Sequence, residues 1–316
     1  MLAQAASAPP APSAQGRTEL ELELEKLRPP TYSLLTVQPL YQDKDKLNTV
    51  FVQGSQSRYS LFRDYRDTTN LGVGYRRLFL DNSLLSGLNA LFDQEWTNGH
   101  RRMSVGGELK WAMLDFYANR HFALTGDKAV HPGITEKALG GYDIEMRAQV
   151  PYLPWLRVGA KGYAWHARGF EDIRGWSSSL DADIAKNFLL EAGANDDNMQ
   201  SDPSAFIKLT FRLPSPDRPV LASGARVDSK PFDMRDMKAY ALDKVRRQNK
   251  IMCQDSPSGG SAGGGPPPGV ATGGPCAVHA ECGSKLCNAG VCTDCAMDAD
   301  CPGGQLCILG PPPVCQ

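Results

Sequence analysis

Along most of this chain, apolar and polar residues alternate one by one. In GYDIEMRAQV, Tyr142, Ile144, Met146, Ala148 and Val150 fall on one side, and Asp143, Glu145, Arg147 and Gln149 on the other. AFIKLTFRL sets Ala205, Ile207, Leu209, Phe211 and Leu213 against Lys208, Thr210 and Arg212. RMSVGGELKW sets Met103, Val105, Leu109 and Trp111 against Ser104, Glu108 and Lys110. A period of two belongs to β-strands, whose successive side chains point to opposite faces. Twelve such segments can be marked: 17–27, 31–41, 47–58, 68–80, 83–96, 101–112, 114–125, 138–150, 156–167, 177–187, 188–197 and 204–213. Most approach the roughly 9–11 residues with which a tilted strand crosses a bilayer.

The first segment is ambiguous by itself. RTELELELEKL, 17–27, is made of helix formers, and Leu20, Leu24 and Leu27 have helical spacing, but Leu22 lies off that stripe. Period two gathers Leu20, Leu22 and Leu24 on one face and Glu19, Glu21, Glu23 and Glu25 on the other. Bacterial barrels usually close with an even number of strands, and eleven segments follow. The favoured reading is therefore a strand that pairs with 204–213, where Lys208 and Arg212 can answer the glutamates. A short helix plugging the pore is the alternative.

The connections also alternate in kind. LDNS at 80–83 and PYLPW at 151–155 are tight, whereas TGDKAVHPGITEK at 125–137 and ARGFEDIRGWSS at 167–178 are longer and polar. Short turns on one rim and long loops on the other describe an outer-membrane barrel. A soluble sandwich or barrel would alternate too. The membrane reading is favoured by a polar face of mixed charges and glycines, by scarce helix before residue 230, and by aromatics near strand ends (Trp96, Trp111, Tyr142, Tyr152, Trp155, Phe211). The expected fold is all-β: a twelve-stranded antiparallel transmembrane β-barrel over 17–213, followed by a linker and a small disulfide-rich domain. Glu21, Glu23, Glu108, Asp143, Glu145, Arg147, Lys208 and Arg212 are the lumen-facing candidates.

Cysteine usage divides the chain. All nine cysteines lie at or beyond Cys253, and eight fall in 276–316. Between barrel and tail, 214–275 reads as a linker with a helix over about 233–247, capped by Asp233, and then a Gly/Pro-rich spacer that cannot build a core. The tail divides into two four-cysteine units: Cys276, Cys282, Cys287 and Cys292, then Cys295, Cys301, Cys307 and Cys315. With so few large apolar side chains it needs covalent staples. Disulfides formed in an oxidising compartment fit. Of about 105 possible connectivities, pairing within each unit is preferred; a zinc site at Cys292 and Cys295 is the lesser alternative. Cys253 is left over, either free or in an intermolecular bridge. Residues 1–16 read as a disordered leader or signal remnant.

The net charge of -1 gives no electrostatic footprint for nucleic acid. His100, His121 and His166 lie in no motif that also supplies a nucleophile and an orienting group, and no GxSxG, HExxH or P-loop pattern occurs. No catalytic residue, cofactor or metal site is expected.

Four stretches carry a family resemblance. QPLYQDKDKLNTVFVQGSQSRY, NLGVGYRRLFLDNSLLSGLNALFDQEWTNGHRRMSVGGELKW, LDFYANRHFALTG and GGYDIEMRAQVPYLPWLRVGAKGYAW, in this order, resemble the β-domain of intimin/invasin-type inverse autotransporters over about residues 17–213. The resemblance implies a twelve-stranded barrel with both ends in the periplasm. The chain then returns through the lumen and delivers a C-terminal passenger outside the cell. PFDMRDMKAYALDKVRRQNKIM, 231–252, resembles the family's linker. Its Lys244, Arg246, Arg247 and Lys250 are candidates to pair with lumen carboxylates such as Glu108, Asp143 and Glu145; a solvated charge run is the alternative. Within these 316 residues, no peptidoglycan-binding domain is recognisable before the barrel, and no immunoglobulin-like or lectin domain after it. The architecture therefore carries over better than the adhesive role. The expected function is an outer-membrane translocator and anchor that displays the cysteine-rich domain at the cell surface for adhesion or binding. The alternatives are a channel, or a barrel enzyme with a periplasmic tail. Expected partners are outer-membrane lipid, the barrel insertion machinery (whose signal IKLTFRL resembles), periplasmic chaperones and an unidentified surface ligand.

Overall fold

The computed structural model describes residues 15–257, apart from 27, 62–63, 112, 132–133, 168–170, 200–201, 224–226 and 233–234, together with 287–288, 291–292, 307–308 and 314–315. Strands β1 (Arg17–Glu25), β2 (Thr31–Gln42), β3 (Asn48–Leu61), β4 (Asp64–Phe79), β5 (Leu84–Glu95), β6 (Arg101–Trp111) and β7 (Leu114–Ala123) follow one another as a meander. After a small hairpin, β8 (Lys128–His131) and β9 (Ile134–Ala138), the meander resumes with β10 (Gly140–Val150), β11 (Leu153–His166), β12 (Ile173–Ala185), β13 (Phe188–Asp197) and β14 (Ser204–Leu213). β1 to β7 and β10 to β14 close into a twelve-stranded antiparallel barrel, with β1 against β14.

RTELELELE, Arg17–Glu25, thus forms a strand, and the plug-helix alternative is excluded. In the closing seam Glu23 stands opposite Lys208 and Glu19 opposite Arg212. Leu20, Leu22 and Leu24 lie on the outer wall, 53%, 44% and 49% exposed. Coiling this segment would leave the edges of β2 and β14 unpaired in lipid, where each unpaired backbone group costs several kcal/mol.

The burial pattern is inside out. Arg76, Asp93, Arg102 and Lys110 are buried in the lumen, while Leu71, Leu88, Ile144 and Ile207 are exposed on the outside. A soluble barrel would place these sets the other way round. Among the described residues no helix is long and apolar enough to cross a membrane; the strands do so.

Several strands run further than the alternation marks. β4 starts at Asp64, β11 at Leu153 and β12 at Ile173, so 151–155 contains a turn of only Pro151 and Tyr152. Asp67 at the start of β4 pairs with Arg58, a ladder of polar residues beyond the apolar band, where no lipid enforces alternation. The stretch 125–137, expected to be a loop, folds as the β8–β9 hairpin. The outer edge of β9 is taken by a further strand, β15 (Cys253–Pro257).

The helix expected over 233–247 does not form. Asp233 lies outside the described residues. The ordered element is a single 3-10 turn, Met237–Tyr240, capped by Asp236, whose carboxylate accepts from the Lys238 amide at 2.9 Å. Beyond it, donors from the barrel wall take carbonyls that a helix would keep for itself: Arg76 reaches Ala241 O and Asp243 O at 2.9 and 2.7 Å, and Asn119 reaches Arg246 O at 3.0 Å.

Residues 259–316 form a separate compact unit. Its described backbone consists of two short ladders, one in each four-cysteine stretch, placing Cys287 opposite Cys292 and Cys307 opposite Cys315. Cys276, Cys282, Cys295 and Cys301, and the side chains of the other four, lie outside the described residues.

Candidate functional site

The inner wall is an array of ionisable side chains because every second residue of each strand must face away from lipid. Through it runs the chain's own segment 237–253, entering at the short-turn rim and leaving at the long-loop rim. At the entry, Met237 N donates to Asn82 O at 2.9 Å, and Met237 and Tyr240 pack on Leu78 and Leu85. At the exit, Cys253 pairs with Ala138 of β9, and Leu139 N donates to Met252 O at 2.8 Å. The twelve residues Ala241–Met252 span about 40 Å as an extended chain but about 18 Å as a helix, against a hydrocarbon core of about 30 Å. An open chain therefore reaches from rim to rim.

Four cations of this thread, Lys244, Arg246, Arg247 and Lys250, each meet a wall carboxylate. Lys244 contacts Glu21 and lies 3.5 Å from Glu19. Arg246 is 3.1 Å from Glu145, 3.6 Å from Asp181 and 3.7 Å from Glu191. Arg247 grips Asp93 through both terminal nitrogens at 2.9 and 2.5 Å, and Lys250 reaches Glu23 at 2.8 Å. The thread also carries an acid, Asp243, held by Arg17, Arg218 and Lys110. Buried ion pairs of this kind are costly to break, because the survivor is stranded in a low dielectric.

Of the carboxylates singled out from sequence, Glu21, Glu23 and Glu145 meet side chains of the basic cluster directly. Glu108 binds Arg76 at 2.5 Å and Lys110 at 3.6 Å instead. Asp143 is 2.7 Å from His121 and accepts from the Gln248 backbone N–H at 3.2 Å. Arg147 is shared by Glu145, Asp181 and Glu191. Lys208 bridges Glu23 at 2.9 Å and Glu191 at 3.7 Å, while Arg212 turns to Asp183.

Sequence reasoning missed Asp93, Asp181, Glu191 and Asp243, which carry much of the network. It also missed apolar lumen residues. Leu35, Val37, Phe51 and Leu91 occupy inward positions and receive Val245 of the thread. Burying such a side chain is worth about 1.5–3 kcal/mol. Gly74 makes room for the Phe51 ring, since a Cβ there would sit 2.2 Å from Cζ, and Arg76 stacks on that ring at 4.3 Å. The available signal was apolar residues in the polar phase of a strand. Beside Lys244 and Arg246 a cavity of about 50 Å³ remains, lined by Glu19, Arg147, Asp181 and Arg212, room for a few waters.

Among the described residues Cys253 is buried and free of a disulfide. His121 and Asp143 form a dyad, yet both are fully buried beneath the thread.

A closed barrel with an apolar outside, a charged inside and its own chain through the bore defines an outer-membrane barrel with an occupied lumen. Residues 8–249 match the inverse autotransporter β-domain family, and the chain belongs to it. Among its relatives, invasin of Yersinia enterocolitica is 28% identical over 156 residues, covering 49% of this chain and 16% of that protein. A putative attaching and effacing protein homolog of Escherichia coli K12 is 30% identical over 131 residues, covering 40% of this chain and 41% of the relative. Intimin of Escherichia coli O127:H6 is 32% identical over 100 residues, 31% of this chain and 10% of that protein. The chain thus spans less than half the length of these relatives. A solved structure described under the in-meso crystallization of membrane proteins shares the fold, with a TM-score of 0.61 at 17% identity, covering 76% of this chain and all of that one.

Proposed function

We propose that the barrel is a translocator and anchor that carries its own C-terminal segment across the outer membrane and displays the cysteine-rich residues 276–316 at the cell surface, for adhesion or binding. The thread carries this reading, since it leads from the rim where the barrel strands begin and end to the opposite rim and is matched to the wall along its length. Outer-membrane barrels keep short turns on the periplasmic side and long loops outside, which orients the exit toward the exterior. Disulfides within each four-cysteine unit would give the displayed segment the stability its small apolar content cannot supply. The insertion machinery, periplasmic chaperones and a surface ligand are the partners this reading requires. A channel is disfavoured by an occupied lumen, and an enzyme by a His121–Asp143 dyad closed off by the thread.

Protease shaving of intact cells tests the proposal. Loss of the tail with the barrel left whole is the expected result. A tail that survives until the outer membrane is permeabilised overturns it.

A further inference from the structure

Where the thread leaves the barrel, three buried residues from separate segments converge. His100 comes from the β5–β6 connection, Glu136 from β9 and Cys253 from β15. One ligand atom from each lies within 4.8 Å of the other two. A common point therefore exists within about 2.8 Å of all three, close to the ~2.0–2.3 Å bonds of a zinc site.

Three further observations point to a cation. His100 Nε2 stands 2.9 Å from Glu136 Oε1, outside the alignment of a regular hydrogen bond although the residue is wholly buried. The other ring nitrogen, Nδ1, is held by Thr125 Oγ1 at 3.1 Å, as a ligating histidine is usually oriented by its second nitrogen. The fixed buried charges beside them also fail to balance: Arg66 stands between Glu136, at 2.6 Å, and Glu95, at 4.0 Å. One guanidinium and two carboxylates leave a net negative charge. A divalent cation together with a Cys253 thiolate brings the sum to zero.

We infer that His100, Glu136 and Cys253 bind a zinc ion that pins the thread to the long-loop rim, with Arg66 and Thr125 holding the ligands in place. A nitrogen, sulfur and oxygen donor set suits zinc and excludes calcium or magnesium, which take oxygen ligands. Binding exchanges the thiol proton for the metal: the Zn–S bond forms, the S–H bond breaks and the proton leaves to solvent.

The test uses the full-length protein folded in detergent micelles, stripped with chelator and titrated with zinc alone by calorimetry. One ion per barrel is expected, weakened about tenfold or more in C253S and H100Q. Cobalt in place of zinc gives a thiolate-to-cobalt charge-transfer band that C253S loses. Heat-modifiable migration on gels, unchanged in the variants, shows that they still fold; should H100Q fail to fold, the cobalt band and C253S decide alone. Absence of zinc from the folded wild type overturns the inference. So does a cobalt band that persists in C253S, which would place the metal on the tail cysteines.

Discussion

Asp93 shows what a single residue does in this lumen. Its carboxylate takes Arg247 from the thread, Arg102 from β6 at 2.8 Å and the Asn70 amide at 2.6 Å, with no exposure to solvent. Asp93→Asn leaves two buried guanidinium groups facing a neutral amide. It should cost about 3–5 kcal/mol, read as a lowered midpoint of denaturant unfolding followed by heat-modifiable migration. By contrast, Arg58 and Asp67 pair in the half-open at 2.6 Å near the rim. Asp67→Ala should leave the same midpoint unchanged, because exposed pairs contribute little. That Asp93 faces inward follows from its phase in the LFDQE stretch. That it meets Arg247, more than a hundred residues away, depends on barrel closure and on how far the thread has advanced at that height, which no local pattern encodes.

At the scale of elements, the seam between β1 and β14 concentrates the argument. Glu23 there faces both Lys208 and Lys250. Glu23→Lys gathers three ammonium groups at one height and should lower the temperature at which the barrel loses its heat-modifiable form. The reversal Lys208→Glu in the same chain should recover part of the loss. Both outcomes are read by gel migration across a temperature series. The twelve strands were legible because lipid on one side and water or charge on the other imprint a period of two. The open conformation of the thread was not, because it has neither environment. MRDMKAYALDKVRRQ has a helix-forming composition, yet Arg76, Arg102 and Asn119 take its carbonyls, and Gln53 Oε1 accepts the Val245 N–H at 2.7 Å. Tertiary partners override propensity here, as they do for KAVH and ITEK, which read as loop until β15 supplies an edge to pair with.

For the whole molecule, the thread decides electrical behaviour. It brings Lys244, Arg246, Arg247 and Lys250 into a wall lined by Glu19, Glu21, Glu23, Asp93, Glu145 and Glu191, with Asp243 the acid it carries in return. Deleting 235–257 should open a conducting, cation-selective pore, while the full-length chain should remain nearly silent in planar bilayers. Equal conductance in the two would show that ions bypass the thread.

The route taken by 237–257 also has a mechanical side. A pull applied along the chain beyond Pro257 meets β15 first, and then the ionic contacts of Lys250, Arg247, Arg246 and Lys244 in turn, before it reaches the turn at Met237–Tyr240. Those contacts lie on different strands, β1, β5 and β10 among them, so the load spreads around the ring instead of peeling one strand from its neighbour. The segment that fills the bore is at the same time the rivet through which tension on the tail is passed to the barrel wall.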